Sequence, residues 1–155
     1  MTVETSLHRT LSQLVIKSHV SLGGLSRCEQ LLVFAYVWRG LPGGRALSEA
    51  QVNELLKHQL AGAVCFLGTD HVELRRWLVD AGALQRDDFG REYRRVATSR
   101  LPETLRDLAE LLEGLDPAAF TAAERQRHEA ERAARRARWA QEQAAPALAA
   151  GAAGP

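Results

Sequence analysis

The sequence predicts a mainly helical protein with one small β-hairpin, and two observations carry this prediction. Apolar residues recur at helical spacing in several segments, most of which begin at a Ser, Thr or Asp that can cap a helix. Two short extended segments flank a turn at 87–90, directly behind a helix that ends in glycine. A helix followed by a hairpin forms the second half of a winged helix-turn-helix. We therefore predict a winged-helix core over residues 26–97, with helical N- and C-terminal extensions.

Residues 1–25 are predicted to form an N-terminal helical extension. Leu7, Leu11 and Leu14 fall on one side of a helix over 4–20, and two glycines follow it. We expect this apolar stripe to pack on the core domain, and packing on a second copy of the chain is the alternative.

The core domain opens with two capped helices. Ser26 and Glu29 form a capping box for a helix that is apolar on nearly all sides, which predicts a central position in the core. Ser48 and Gln51 form a second capping box for the next helix. The short segment 45–47 between the two helices is predicted to pair as a third strand beside the hairpin.

The helix before the hairpin has clear signals at both ends. Asp70 is placed to cap it, and Gly82 is placed to end it in a left-handed conformation. Leu74, Trp77 and Leu78 form its apolar stripe, so we predict that Trp77 is largely buried.

Three segments follow the core domain. Residues 98–116 are predicted to form an acidic, leucine-striped helix. Residues 117–143 are rich in Ala, Arg and Glu, and Thr121 with Glu124 makes a capping box there, so a solvated helix is predicted that begins near Ala122. Residues 144–155 are predicted to be a disordered, low-complexity tail. A deletion from Thr121 onward should then leave the core folded.

The pattern of the core domain resembles a known family. The relevant residues are the Val-Asn-Glu-Leu-Leu of 52–56, the Leu-Arg-Arg-Trp-Leu-Val-Asp-Ala-Gly of 74–82, and Gly90 with Tyr93 in the hairpin. They are similar to a small, functionally uncharacterised bacterial domain family. That family is regarded as winged-helix-like and occurs alone or behind repressor domains of the ArsR type. The resemblance spans roughly residues 31–96 and implies a winged-helix fold.

A winged helix commonly inserts the helix before the hairpin into the major groove and lays the wing along the phosphates. The residues that occupy these positions here are our candidate nucleic-acid contacts: Arg75, Arg76, Arg91, Arg94 and Arg95. Between residues 70 and 100 seven arginines face six acidic residues, so a solvated and self-paired surface is the alternative. Arg76 and Asp80, four apart on one helix, are the clearest candidate pair.

Composition and motifs give no support for several classes of function. The net charge is +1, which gives no global argument for a polyanionic partner. Two scattered cysteines favour a reducing compartment, and the longest apolar run, Leu31 to Trp38, is too short to span a bilayer. No metal-ligand spacing, phosphate loop or nucleophile motif appears in the sequence. We therefore expect no catalysis, no cofactor, no metal site and no membrane insertion.

These observations favour a cytoplasmic DNA-binding or transcription-regulatory module that acts on double-stranded DNA. The alternative is a winged helix used for protein interaction or homodimerisation without DNA binding. Its contact surface would be the leucine stripe from Leu101 to Leu115 or the N-terminal helix.

Overall fold

A computed structural model describes residues 2–152, with side chains described through residue 146. The helices are α1 (Val3–Val15), α2 (Arg27–Arg39), α3 (Glu49–Ala61), α4 (His71–Asp80), α5 (Glu103–Leu111) and α6 (Pro117–Ala152). The strands are β1 (Leu47–Ser48), β2 (Leu84–Arg86) and β3 (Glu92–Arg95), and two short 3-10 turns lie at Leu22–Gly24 and Thr98–Arg100. The predicted mainly helical fold with a small hairpin is confirmed. The order α3, α4, β2, β3 is consistent with a winged-helix core.

The three strands form one antiparallel sheet in the order β1-β3-β2. Leu47 of β1 lies opposite Tyr93 of β3, so the short segment before α3 does add a third strand to the hairpin. On the other side of β3, Leu84 lies opposite Arg95 and Gln85 lies opposite Arg94. Because side chains alternate between the faces of a strand, Arg94 and Arg95 point to opposite sides of the sheet.

Helix α2 is the centre of the core, as its apolar sequence predicted. Every residue from Leu32 to Trp38 is buried. Helix α5 packs against α2, and its stripe contributes further buried residues: Leu101, Leu105, Ala109 and Leu112. The stripe from Leu101 to Leu115, which we considered as a surface for a partner, is therefore largely occupied by the chain's own core.

Helix α4 has the expected ends and turns its predicted apolar stripe toward the core. The Asp70 carboxylate accepts a hydrogen bond from the Glu73 amide at 2.8 Å, and Gly82 adopts a φ of +81°. Leu74 and Leu78 are buried, whereas Trp77 is only partly buried. Most of the Trp77 surface is nevertheless buried, as the stripe predicted, and the ring packs against the core beside Phe34 of α2. It lies at the edge of the stripe, so a minor part of the side chain reaches solvent.

Helix α1 packs on its own chain, and it ends at Val15 rather than near residue 20. Its buried residues are Leu11, Leu14 and Val15. Arg125 of α6 donates hydrogen bonds of 2.9 Å to the carbonyl oxygens of Val15 and Lys17. These carbonyls lie at and just beyond the end of α1, where the helix leaves its acceptors unpaired. The arginine therefore caps α1 and joins it to α6.

Helix α6 begins at Pro117, earlier than the predicted start near Ala122. Asp116 accepts a hydrogen bond from the Ala119 amide at 3.3 Å, and proline is favoured at the first helical position. The predicted capping role of Thr121 was therefore wrong. This residue is buried inside the helix, where its hydroxyl donates to the Ala63 carbonyl at 2.6 Å.

Thr121 also belongs to a buried polar cluster that joins α6 to the core. The Tyr36 hydroxyl lies 2.6 Å from Thr121 Oγ1 and donates to the carbonyl of Pro117. Burial raises the pKa of Tyr36 to about 12, so this hydroxyl keeps its proton at neutral pH. The start of α6 is therefore fixed to α2 and to the turn after α3.

The remainder of α6 is solvated. Every residue from 129 to 146 is exposed, and 64% of the surface of Trp139 is accessible. The helix continues to Ala152, although we predicted disorder from residue 144, because alanine is the strongest helix former. Residues 153–155 of that predicted tail lie outside the described residues. Among residues 2–152, no helix combines the length and apolarity needed to cross a membrane.

Candidate nucleic-acid interface

Arg75, the first candidate on α4, is held by the protein itself. Its guanidinium lies 3.2 Å from a carboxylate oxygen of Glu49 and donates a hydrogen bond to the side-chain oxygen of Asn53. It also lies 5.5 Å from the centre of the Tyr93 ring. Only 13% of the side chain is exposed. Arg75 thus connects α3, α4 and β3, and it fixes the position of α4 relative to the wing.

Arg95 has a comparable structural role on β3. Its guanidinium lies 4.1 Å from the centre of the Trp38 ring, and Nη1 donates to the Leu41 carbonyl at 2.9 Å. Burial lowers the pKa of Arg95, and the nearby charge of Arg39 lowers it further. The side chain therefore ties the wing to the end of α2 and to the loop that follows.

The other three candidates, Arg76, Arg91 and Arg94, are exposed. No salt bridge in the described part of the chain involves any of them, so the predicted Arg76–Asp80 pair does not form. Arg91 lies 5.8 Å from the centre of the exposed Phe89 ring at the tip of the wing. The five predicted arginines thus divide into two that hold the fold and three that face solvent.

Acidic groups interrupt this surface. Glu73 and Asp80 are exposed on α4 on either side of Arg76. In the wing, the Asp87 carboxylate accepts hydrogen bonds from the amides of Arg91 at 2.7 Å and Glu92 at 3.2 Å. The hydrogen bond from Glu92 is the main reason that the pKa of Asp87 is lowered. This carboxylate is thus used to close the turn, although its charge remains close to Arg91.

The structure also assembles two further arginines that the sequence did not single out as contacts. A cavity of about 510 Å³ lies between the loop before β1 and the base of the wing. No carboxylate lines it, and its cationic lining residues are Arg45, Arg94, Arg95 and Arg100. The predicted pairing of the segment before α3 with the hairpin was the one signal that could have placed Arg45 here.

For a metal ion the structure offers no ligand set. Within residues 2–152, no group of three or more His, Cys, Asp or Glu side chains is placed to bind one. The two cysteines, Cys28 and Cys65, are both free thiols. The candidate residues are arginines, and guanidinium groups in general pair with anions.

The chain thus contains a mainly helical domain whose small antiparallel sheet is edged by arginines. Its segment 25–95 matches the model of a family described as an uncharacterized protein conserved in bacteria, DUF2087. The matched segment runs from just before α2 to the end of β3, and the predicted resemblance to an uncharacterised bacterial domain family is confirmed. Comparison with curated proteins and with solved structures found no match.

Proposed function

We propose that the chain is a DNA-binding winged-helix module with a regulatory role in the cytoplasm and without catalysis. One observation carries this proposal: among the described residues, exposed arginines that form no salt bridge occur on both elements that a winged helix applies to a duplex. Arg76 provides such a group on α4, and Arg91 and Arg94 provide two on the wing. The duplex would lie across α4 and the outer face of the hairpin.

The three arginines have different roles in this proposal. Arg91 and Arg94 neutralise backbone phosphates on the wing, which contributes affinity without sequence information. Arg76 projects from α4 toward base edges in the major groove, where a bidentate contact to guanine is the commonest specific interaction of arginine. Arg75 and Arg95 position these groups, because they fix α4 and β3 to the core.

The nearby acids set the expected strength of binding. With Glu73 and Asp80 beside Arg76, the α4 surface has no excess of positive charge. Two phosphate contacts from the wing would give a slope of log affinity against log salt of about −2. We therefore expect weak binding to mixed-sequence DNA that is strongest at low salt, and tighter binding to a preferred site.

The test is fluorescence anisotropy of a labelled mixed-sequence duplex at low salt. The triple variant R76Q/R91Q/R94Q should weaken binding and flatten its salt dependence, because the proposed contacts are lost. The matched control is R132Q/R135Q/R138Q on the solvated part of α6, which removes the same charge and should bind like the unmodified chain. The proposal fails if the unmodified chain does not bind at low salt, or if only the control variant loses binding.

A second candidate function is protein interaction, and the exposed part of α6 favours it. A tryptophan that is 64% exposed on a solvated helix is unusual, because aromatic side chains are typical contact residues of protein interfaces. In this alternative the chain dimerises through Trp139, since α5 is packed on α2 and α1 on α6. Sedimentation equilibrium would show a concentration-dependent dimer that W139A abolishes. A monomer at all concentrations would exclude it.

A further inference from the structure

The cavity at the base of the wing has the composition of an anion site. It lies between the loop that precedes β1 and the segment that follows β3, and it measures about 510 Å³. Four arginines are among its lining residues, namely Arg45 from the loop, Arg94 and Arg95 from β3, and Arg100 from the 3-10 turn. No Asp or Glu lies among the lining residues.

The positive charge of this cavity is not compensated by the protein. In the described part of the chain, none of the four arginines forms a salt bridge with a carboxylate. Guanidinium groups that lie near one another repel one another. Solvent and salt screen this repulsion least at Arg95, which is half-buried, and more at the exposed Arg45, Arg94 and Arg100. A bound anion would turn that repulsion into attraction.

Arg95 is held in place before any ligand arrives. Its guanidinium lies against the Trp38 ring, and Nη1 is committed to the Leu41 carbonyl. On the loop side it lies close to Gly43, where an added Cβ would come within 2.6 Å of Nη2. Among the described residues, Nη2 donates no hydrogen bond, so a fixed donor remains available at the cavity. A donor fixed in advance loses little conformational entropy on binding.

We propose that this cavity binds a phosphate group. Four arginines that line one cavity without an acid among the lining residues supply charge and donors that suit a phosphate, to which arginine donates paired hydrogen bonds. The volume exceeds that of a single phosphate, so the cavity accommodates a phosphorylated small molecule or one segment of a nucleic-acid backbone. The two sources share the same chemistry, and the proposal does not require that the chain bind DNA.

The test is isothermal titration calorimetry of the full chain with inorganic pyrophosphate, in the absence of nucleic acid. We expect saturable binding that R94Q/R100Q weakens by about tenfold or more, since it removes two charged donors. R132Q/R135Q on α6 loses the same charge and should bind as the unmodified chain does. Absence of saturable binding, or an equal loss in both double variants, would overturn the proposal.

A second variant tests whether binding needs the position of the Arg95 guanidinium or only the positive charge of the cavity. G43A retains all four arginines but places a Cβ against Arg95 Nη2, so the guanidinium has to move. We expect G43A to weaken pyrophosphate binding while the fold, followed by circular dichroism, persists. Unchanged binding in a folded G43A variant would also count against the site, because charge alone would then explain the affinity.

Competition with a labelled duplex then identifies the source of the phosphate. If pyrophosphate displaces the duplex and R94Q/R100Q weakens both, the cavity receives a backbone phosphate. If pyrophosphate binds without displacing the duplex, the cavity serves a free phosphorylated molecule. Either outcome supports the cavity as a phosphate site. DNA binding without any pyrophosphate binding would overturn this inference and leave the proposed function intact.

Discussion

Two pairs of neighbouring arginines show how differently the same side chain is used in this protein. Arg75 and Arg76 follow one another on α4, and Arg94 and Arg95 follow one another on β3. In each pair one guanidinium is held by the core, and the other is exposed and outside any salt bridge of the described chain. The number of arginines in a stretch of sequence therefore exceeds the number that are free to bind phosphate, because some of them are held by the core.

The geometry of each element explains the division. One residue along a helix turns the side chain by about 100°, which takes Arg75 toward α3 and leaves Arg76 in solvent. One residue along a strand turns it by about 180°, which takes Arg95 under the sheet and Arg94 above it. The inner arginines find carbonyl, carboxylate or aromatic partners, because a partly buried charge is costly without them.

We expect the largest change in stability from α6, where Arg125 is held by the core and the arginines further along the helix are in solvent. Deletion of residues 121–155 removes Thr121 with its buried hydrogen bonds and Arg125 with its hydrogen bonds to the end of α1. It should lower the free energy of unfolding by about 3–5 kcal/mol. This outcome reverses our prediction from the sequence. Deletion of 130–155 keeps both residues and should leave stability nearly unchanged, as urea denaturation of the two truncated chains would show. Equal stability of the two would mean that the start of α6 contributes nothing to the core.

The next contrast lies on β3. R95Q removes a charged hydrogen bond to the Leu41 carbonyl and the contact with Trp38, so we expect a loss of about 2 kcal/mol. R94Q removes an exposed charge and should change stability by less than about 0.5 kcal/mol. Thermal melting of both variants measures the difference. A pair of equal melting temperatures would show that the inner position has no structural role.

The smallest contrast lies on α4. R75Q loses the contacts with Glu49, Asn53 and Tyr93, and it should cost about 1–2 kcal/mol, since part of this network faces solvent. R76Q should again be close to neutral. R75K keeps the positive charge but lacks the planar guanidinium. If R75K is as unstable as R75Q, the guanidinium is what the site requires. Full recovery in R75K would instead indicate that charge alone suffices.

The sequence was sufficient to predict the helices and strands of residues 26–97, because caps, glycine stops and apolar spacing act locally. It misplaced the ends of α1 and α6, which are set by contacts with the rest of the fold or by helix propensity. It placed α2 at the centre of the core and the third strand beside the hairpin. It misplaced Thr121, because the hydroxyl finds partners on α2 and beyond α3 that only the folded chain brings near. It also placed Arg75 and Arg95 on the surface, since their partners Asn53 and Leu41 are distant in sequence.

The most direct measurement of our central claim is NMR of the arginine Nε–Hε groups during titration with a mixed-sequence duplex at low salt. We predict that the signals of Arg76, Arg91 and Arg94 shift or broaden as the duplex is added. The signals of Arg75 and Arg125, which are held by the protein, should remain in place. Shifts confined to the arginines of the solvated part of α6, or no shift at all, would contradict DNA binding by α4 and the wing.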